Sequence, residues 1–351
     1  MRVIIVGDLN PHTRSAQRCR TLRELGADVL GVTTVPLGTL PGISPKPTLW
    51  SRVRHRLGVP ADSTGANLAV LRLSRSGPNI LWADKALTLR PRTLQAARGL
   101  APSVRLAWYS EDDMMRDHNQ SRYFLGCLPL FDVVFTTKSA NLLPDGLRRI
   151  GARRVVFVDK AFDPALHRPM DLTAEERSRF GASVGFVGTF EEERARKLTA
   201  LAEAGLNVRV WGNGWSAWRR RPPALTIEGQ PLYGDDYVRA ICATAVNLCF
   251  LRKANQDQQT DRSIEIPACG GFMLAERTEE HLRLFQEGTE AAFFDSNDTL
   301  DLISQVRRAL ADEGYRVAVA RAGRRRCLIG GYSHRDRLRL MLAAMNSPGA
   351  S

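Results

Sequence analysis

The chain has 351 residues, 44% of them hydrophobic and 25% charged, and a net charge of +13 at neutral pH. This is the composition of a globular protein of about two domains, not of a disordered or fibrous one. No apolar run approaches the ~18 residues of a membrane span, and the apolar part of MRVIIVGDLN is too short for a signal peptide, so a cytoplasmic protein is expected.

The first strand is expected at Val3 to Val6, and Gly7-Asp8-Leu9-Asn10-Pro11-His12 follows it into a helix. No G-x-G-x-x-G stands there, which argues against a dehydrogenase. His12 is a candidate base or hydroxyl ligand, or a surface histidine. Further short apolar runs follow at Ala27 to Val32, Ile80 to Ala83, Val104 to Tyr109, Val133 to Thr137 and Val155 to Val158. The Pro- and Gly-rich region from Pro36 to Pro60 reads as a long loop with a short basic helix over 50–57. After the fourth strand come Ser110-Glu111-Asp112-Asp113. Three acids in a row repel one another unless they meet hydroxyls, cations or helix N-termini. Glu111, Asp112 and Asp113 are therefore candidates to bind an acceptor hydroxyl or take its proton, or they are a capped helix start. Lys138, Lys160 and Asp163 are weaker candidates.

The polar stretch from Pro169 to Phe180 marks the domain boundary, and six more apolar runs follow. They are Val184 to Val187, Val208 to Trp211, Leu225 to Glu228, Ala245 to Phe250, Gly271 to Ala275 and Ala291 to Phe294. Strands buried on both faces read as continuous apolar runs, and alternation with helices indicates parallel sheets. The prediction is α/β, with two Rossmann-like doubly wound domains facing across a cleft: residues 1–172, residues 173–332, and a C-terminal helix over 333–351 that crosses back to the first domain. His334 to Met345, with apolar residues at 338, 340, 341, 342 and 345, reads as that amphipathic helix.

Gly188 ends the first strand of the second half, and Arg194 and Lys197 share a helix face after it. They can neutralise a diphosphate, or pair with their own glutamates. Gly214 lies in a turn with room for a ligand, and Tyr233 can pack on a nucleobase. The most informative stretch is DQQTDRSIEIPACGG, from Asp257 to Gly271. A helix opening at Ile264 would put Glu265 in its first turn, where the dipole stabilises a carboxylate. Free backbone N–H groups of that first turn are open to an anion or hydroxyl, and the turn Cys269, Gly270 and Gly271 lets another group approach the backbone closely. Asp257, Arg262 and Glu265 join them as candidate residues of a ribose and pyrophosphate pocket. The plainer alternative is a capped helix leading into a buried strand.

The six cysteines form no C-x-x-C pair, so neither structural zinc nor a disulfide framework is expected. The chain has six lysines and 44 arginines, dense only at 219–221 and 324–326 and without interleaved aromatics. Solvated faces account for most of that charge. An anionic membrane contacted peripherally ranks next as a partner, and nucleic acid last.

VGFVGTFEEERARKL, GQPLYGDDYVRAI, RSIEIPACGGFML and GYSHRDRL resemble the CgeB-like glycosyltransferases, which are similar to the group 1 transferases of the GT-B fold; PNILWADKALTL, AWYSEDD, LPLFDVVFTTK and VVFVDKAFDPALHRP fit as well. The resemblance implies that Asp257 and Glu265 replace the Glu-x7-Glu signature, with Glu265 on the donor ribose. It implies that Arg194 and Lys197 stand near the diphosphate, that Cys269 to Gly271 face the pyrophosphate, and that the 229–237 loop lies near the base. The expected protein moves a sugar from a nucleotide-diphosphate donor, a UDP-sugar by preference, to a hydroxyl acceptor of unknown identity. No cofactor and no metal are expected, and the implied outcome is retention. The alternatives are a nucleotide-sugar epimerase on the same fold, and a non-catalytic protein that binds anions or nucleic acid.

Overall fold

The computed structural model describes residues 1–11, 13–39, 52, 54 and 56–346. The chain divides into two units, one of residues 1–159, 254–256 and 334–351, the other of residues 160–253 and 257–333.

The first unit holds β1 (Arg2–Gly7), α1 (Arg14–Glu24), β2 (Asp28–Thr33), α2 (Ala66–Ser74), β3 (Ile80–Asp84), α3 (Pro91–Leu100), β4 (Arg105–Ser110), α4 (Arg122–Cys127), β5 (Val133–Thr136) and β6 (Val155–Phe157). Its sheet has the order β2-β1-β3-β4-β5-β6, and every pairing is parallel. Successive strand residues face opposite sides, so each run fills two cores. Ile4, Val6, Leu81, Trp108 and Val134 pack with α2 and α3. Val3, Ile5, Trp82, Tyr109 and Phe135 pack on the other side with Cys19 and Leu22 of α1. Half of the predicted helix at 50–57 lies outside the described residues.

The second unit holds α5 (Ala174–Phe180), β7 (Ala182–Val187), α6 (Glu192–Glu203), β8 (Val208–Trp211), β9 (Leu225–Ile227), α7 (Gly234–Ala243), β10 (Thr244–Cys249), α8 (Asp261–Ala268), β11 (Met273–Glu276), α9 (Glu279–Leu284), β12 (Ala292–Phe294), α10 (Thr299–Ala311) and α11 (Glu313–Ile329). The order β9-β8-β7-β10-β11-β12, again all parallel, is the Rossmann order 3-2-1-4-5-6. The strand order reverses between β7 and β10, and the loops that follow these two strands flank that point.

The last helix, α12 (His334–Asn346), is grouped with the first unit. Its Leu338, Met341 and Met345 join the core that holds Val3 and Ile5, while Leu340 is exposed.

Candidate active site

In the second unit the residues after β7 and after β10 converge at the switch point of the sheet. Gly188 closes β7: its N–H donates to the Trp211 carbonyl at 2.8 Å, and its own carbonyl accepts from Trp215 Nε1 at 2.8 Å. A Cβ on Gly188 would lie 2.6 Å from the Phe186 ring and 3.3 Å from Arg262 Nη1, so only glycine leaves this guanidinium its place. Gly214 has φ +83°, and the space beside it is taken by Phe190, whose Cβ would stand 3.2 Å from a Cβ there. Trp215, the next residue, is buried.

Arg194 and Arg262 both lie near the Phe186 ring, 5.8 and 5.4 Å from its centroid. Arg194 donates to the Thr189 carbonyl at 3.1 Å, and Arg262 to the Phe250 carbonyl at 3.1 Å. The Nε of each is buried with no acceptor among the described residues. Burial pushes the Arg194 pKa down to about 10, and the charge of Arg262 adds to that, against Glu191, Glu276 and Asp257. Two guanidinium groups thus flank one ring, with the Glu191 carboxylate 3.6 Å from Arg194 Nη2, an arrangement that can take a further anion. Lys197 is buried on the same face of α6, but it turns to Glu193 at 3.2 Å and Glu276 at 3.9 Å, close to the rings of Phe250 and Phe294.

Asp257 ties its own loop: its Oδ2 accepts from the Arg252 N–H at 3.3 Å, and its N–H donates to the Arg252 carbonyl at 3.3 Å. Gln256, just before it, has φ +50°.

Helix α8 starts three residues earlier than predicted. The Thr260 N–H donates to Ser263 Oγ at 2.9 Å and the Ser263 N–H to the Thr260 carbonyl at 3.0 Å, which caps the helix there. Glu265 therefore sits in the second turn, and the positive end of the helix falls on Asp261 and Arg262. Glu265 is buried, and its Oε2 accepts the Tyr237 hydroxyl at 2.8 Å. Its Oε1 lies 3.6 Å from His167 Nε2. Burial, then the Glu265 carboxylate, pushes the Tyr237 hydroxyl pKa well up. Arg262 and Glu265 are three residues apart, so they share a helix face about 4.5 Å apart along the axis. A guanidinium and a carboxylate at that spacing match a phosphate and the sugar next to it.

The expected N–H donors at 269–271 are not available. Cys269 N–H bonds the Glu265 carbonyl at 3.0 Å, Gly270 N–H the Pro267 carbonyl at 2.8 Å, and Gly271 N–H the Ile266 carbonyl at 3.0 Å. Gly270, with φ +76°, follows the C-cap residue Cys269 of α8, so this turn presents the helix end that repels anions. Cys269 is a buried thiol whose pKa is raised well above its ordinary value, chiefly by burial. Tyr233, partly exposed, is the residue before α7.

In the first unit, β1 pairs with β2 on one side and β3 on the other. At this second switch point Arg18 takes Asp84, and its Nη1 bonds Glu111 at 2.7 Å while its guanidinium stacks over Tyr109 at 4.3 Å. Asp112 pairs with Lys85, which holds an unusual φ of +44°. Asp113 Oδ1 accepts from the Met115 N–H at 3.0 Å, and Oδ2 from Arg116 Nε at 3.1 Å. The repulsion expected among the three acids is relieved because each has its own cation. Asp113 is turned inward with 1% of its side chain exposed, against 18% for Glu111 and 32% for Asp112, so it serves the turn and leaves its two neighbours the more accessible. His12 lies outside the described residues. Lys138 is buried, and Lys160 Nζ lies 3.4 Å from Asp261.

Tyr237 and His167 were not singled out from the sequence. Tyr237 carries only the weak signal of a loop entering a helix. His167 carries the signal of a histidine between Pro164 and Pro169, in a turn that its own side chain ties.

Residues 194–343 match the family model described as "Glycosyl transferase-like". No curated protein matches the chain. Solved structures do. Sucrose-phosphate synthase from Thermosynechococcus elongatus is 12% identical with a TM-score of 0.62, over 98% of this chain and 98% of that one. The Anabaena protein Alr3699/HepE, in complex with UDP and glucose, is 11% identical with a TM-score of 0.61, over 98% and 100%. An alpha-glucosyltransferase, in complex with UDP and a 13-mer DNA, is 14% identical with a TM-score of 0.65, over 99% and 100%. At such identities the likeness is one of fold, and the fold is GT-B. The whole chain thus shares the GT-B fold, and its residues 194–343 match a glycosyltransferase-like family model.

Proposed function

We propose that the protein moves a sugar from a nucleotide-diphosphate donor to a hydroxyl acceptor, and that the second unit holds the donor. The observation that carries this is the pair Arg194 and Arg262 beside Gly188, with Glu265 one helical turn along. The diphosphate lies against the two guanidinium groups, and Glu265 accepts from the ribose hydroxyls. Tyr233 and the 229–237 loop lie toward the base, and Asp257 toward the transferred sugar. The UDP held by the Anabaena protein and by the alpha-glucosyltransferase supports a UDP-sugar.

In the reaction the bond between the anomeric carbon and the diphosphate oxygen breaks, and a bond to the acceptor oxygen forms. The acceptor proton leaves with the diphosphate or to solvent. The leaving group needs positive charge more than it needs a proton, and Arg194 and Arg262 supply that charge from a partly desolvated position. We therefore propose a metal-independent transfer with no cofactor, and, on the sequence resemblance to CgeB-like transferases, retention at the anomeric carbon. Glu111 and Asp112 orient the acceptor.

No described helix is long and apolar enough to cross a membrane. A cytoplasmic location, with the net charge of +13 favouring peripheral contact with an anionic surface, completes the proposal.

Calorimetric titration with UDP, GDP and TDP tests this reading. Binding of one of them that is lost in Arg262→Ala supports it. A folded protein that binds no nucleoside diphosphate overturns it.

A further inference from the structure

His167 is 2% exposed, and the proposed chemistry gives it no task. Its Nδ1 accepts from the Asp163 backbone N–H at 3.0 Å. A backbone N–H can only donate, so the proton of the neutral ring sits on Nε2. That nitrogen faces Glu265 Oε1 at 3.6 Å, within ion-pair range but longer than a hydrogen bond. The other carboxylate oxygen takes the Tyr237 hydroxyl at 2.8 Å. The His167 ring stands edge-on to the Tyr237 ring, with centroids 6.1 Å apart and an interplanar angle of 87°.

A buried carboxylate is costly unless donors surround it. Here Tyr237, from α7, donates a hydrogen bond, and His167, from the turn that begins at Asp163, brings its Nε2–H to 3.6 Å from the other oxygen. Each addresses a different oxygen of Glu265, so together they fix both the position of the carboxylate and the rotation of its plane. The turn itself is tied twice, by the Asp163 N–H to the ring and by the His167 N–H to the Asp163 carbonyl at 2.7 Å. A ring bonded only to its own turn would need no carboxylate opposite its far nitrogen.

We propose that His167 is a positioning residue for Glu265: with Tyr237, it sets the carboxylate in the orientation that accepts both hydroxyls of a ribose. This rests on the reading of Glu265 as the ribose-binding group.

Two substitutions separate this role from a purely local one. His167→Asn keeps a polar atom where Nδ1 was, so the turn stays tied, but removes the donor toward Glu265. His167→Gln puts an amide N–H where Nε2 was. Each is titrated with UDP and with 2′-deoxy-UDP after its fold is checked by thermal melting. The expected result for His167→Asn is an about tenfold weaker UDP affinity, the size of one lost polar contact to a buried carboxylate. Its preference for UDP over 2′-deoxy-UDP should shrink, and its donor KM should rise at unchanged kcat. His167→Gln should recover much of the loss, and Tyr237→Phe should copy the loss. His167→Asn binding UDP as well as the native protein overturns the proposal, and so does an equal loss in the Asn and Gln variants. A native protein that binds no UDP at all, while folded, removes the donor-site reading and this proposal with it.

Discussion

Arg18 holds Asp84 by both carboxylate oxygens, Nε to Oδ2 at 2.7 Å and Nη2 to Oδ1 at 2.9 Å, with both side chains buried. Ser15 Oγ donates to the same carboxylate at 3.0 Å. Burial works against the Arg18 charge, but Asp84, then Tyr109 and Glu111, outweigh it and raise its pKa above the ordinary value. The pair closes the first unit's sheet at its switch point, where a Cβ on Gly7 would come within 3.0 Å of Asp84.

Removing one member of such a pair leaves a buried charge without its partner, at a cost of about 3–5 kcal/mol. Asp84→Ala should lower the urea midpoint strongly. Arg18→Met combined with Asp84→Leu should recover a large part of the loss, because it removes both charges. A double variant as unstable as Asp84→Ala alone would show that the pair's value lies in shape, not charge.

Arg194 and Arg262 repel one another while no anion is present. Arg262→Met should therefore raise the melting temperature of the ligand-free protein and at the same time weaken nucleoside diphosphate binding by about tenfold or more. Opposite signs in melting and calorimetry are the expected pattern. A fall in both would show that the Arg262 bond to the Phe250 carbonyl matters more than the repulsion.

Gly188→Ala tests the same corner through space alone. The added methyl meets the Phe186 ring and the Arg262 guanidinium. Diphosphate affinity should fall because Arg262 must move. UDP affinity unchanged in a folded Gly188→Ala protein would place the anion elsewhere.

His281 makes stability depend on pH. Its Nδ1 donates to the Glu276 carbonyl at 2.6 Å, its Nε2 accepts from Ser263 Oγ at 2.7 Å, and the ring stacks on Phe293. Burial pushes its pKa down to about 4 from 6.5. Between these values the unfolded chain binds the proton and the folded one does not, so stability falls as pH drops from 6.5 toward 4. The loss from this one group is on the order of 3 kcal/mol. Urea unfolding at a series of pH values should show it, and His281→Gln should flatten the profile in that window.

The twelve strands among the described residues were legible because parallel strands covered on both faces are written as unbroken apolar runs, such as Val133 to Thr137. The sequence marks Gly188 and Arg194 by their place after a strand end, and Arg262 by its place within the Asp257 to Gly271 stretch. The sequence did not reveal how α8 is capped: Thr260 and Ser263 start it early, which moves Glu265 down a turn and leaves Cys269 to Gly271 at the carbonyl end. Nor did it reveal that Glu111, Asp112 and Asp113 each meet a separate cation, since Arg18 and Lys85 come from distant parts of the chain. Tyr237 and His167 meet Glu265 by tertiary closure alone, which no periodicity encodes.

Leu338, Met341 and Met345 of α12 cover a sheet whose first strand begins at Arg2. During synthesis that face must wait for everything between. At 5–20 residues per second, the intervening second unit takes roughly 10–35 s to emerge. Val3, Ile5 and their neighbours have only the cover of α1 until then, so a chain arrested before residue 334 keeps part of that apolar face open even though the six described strands of its sheet have been made.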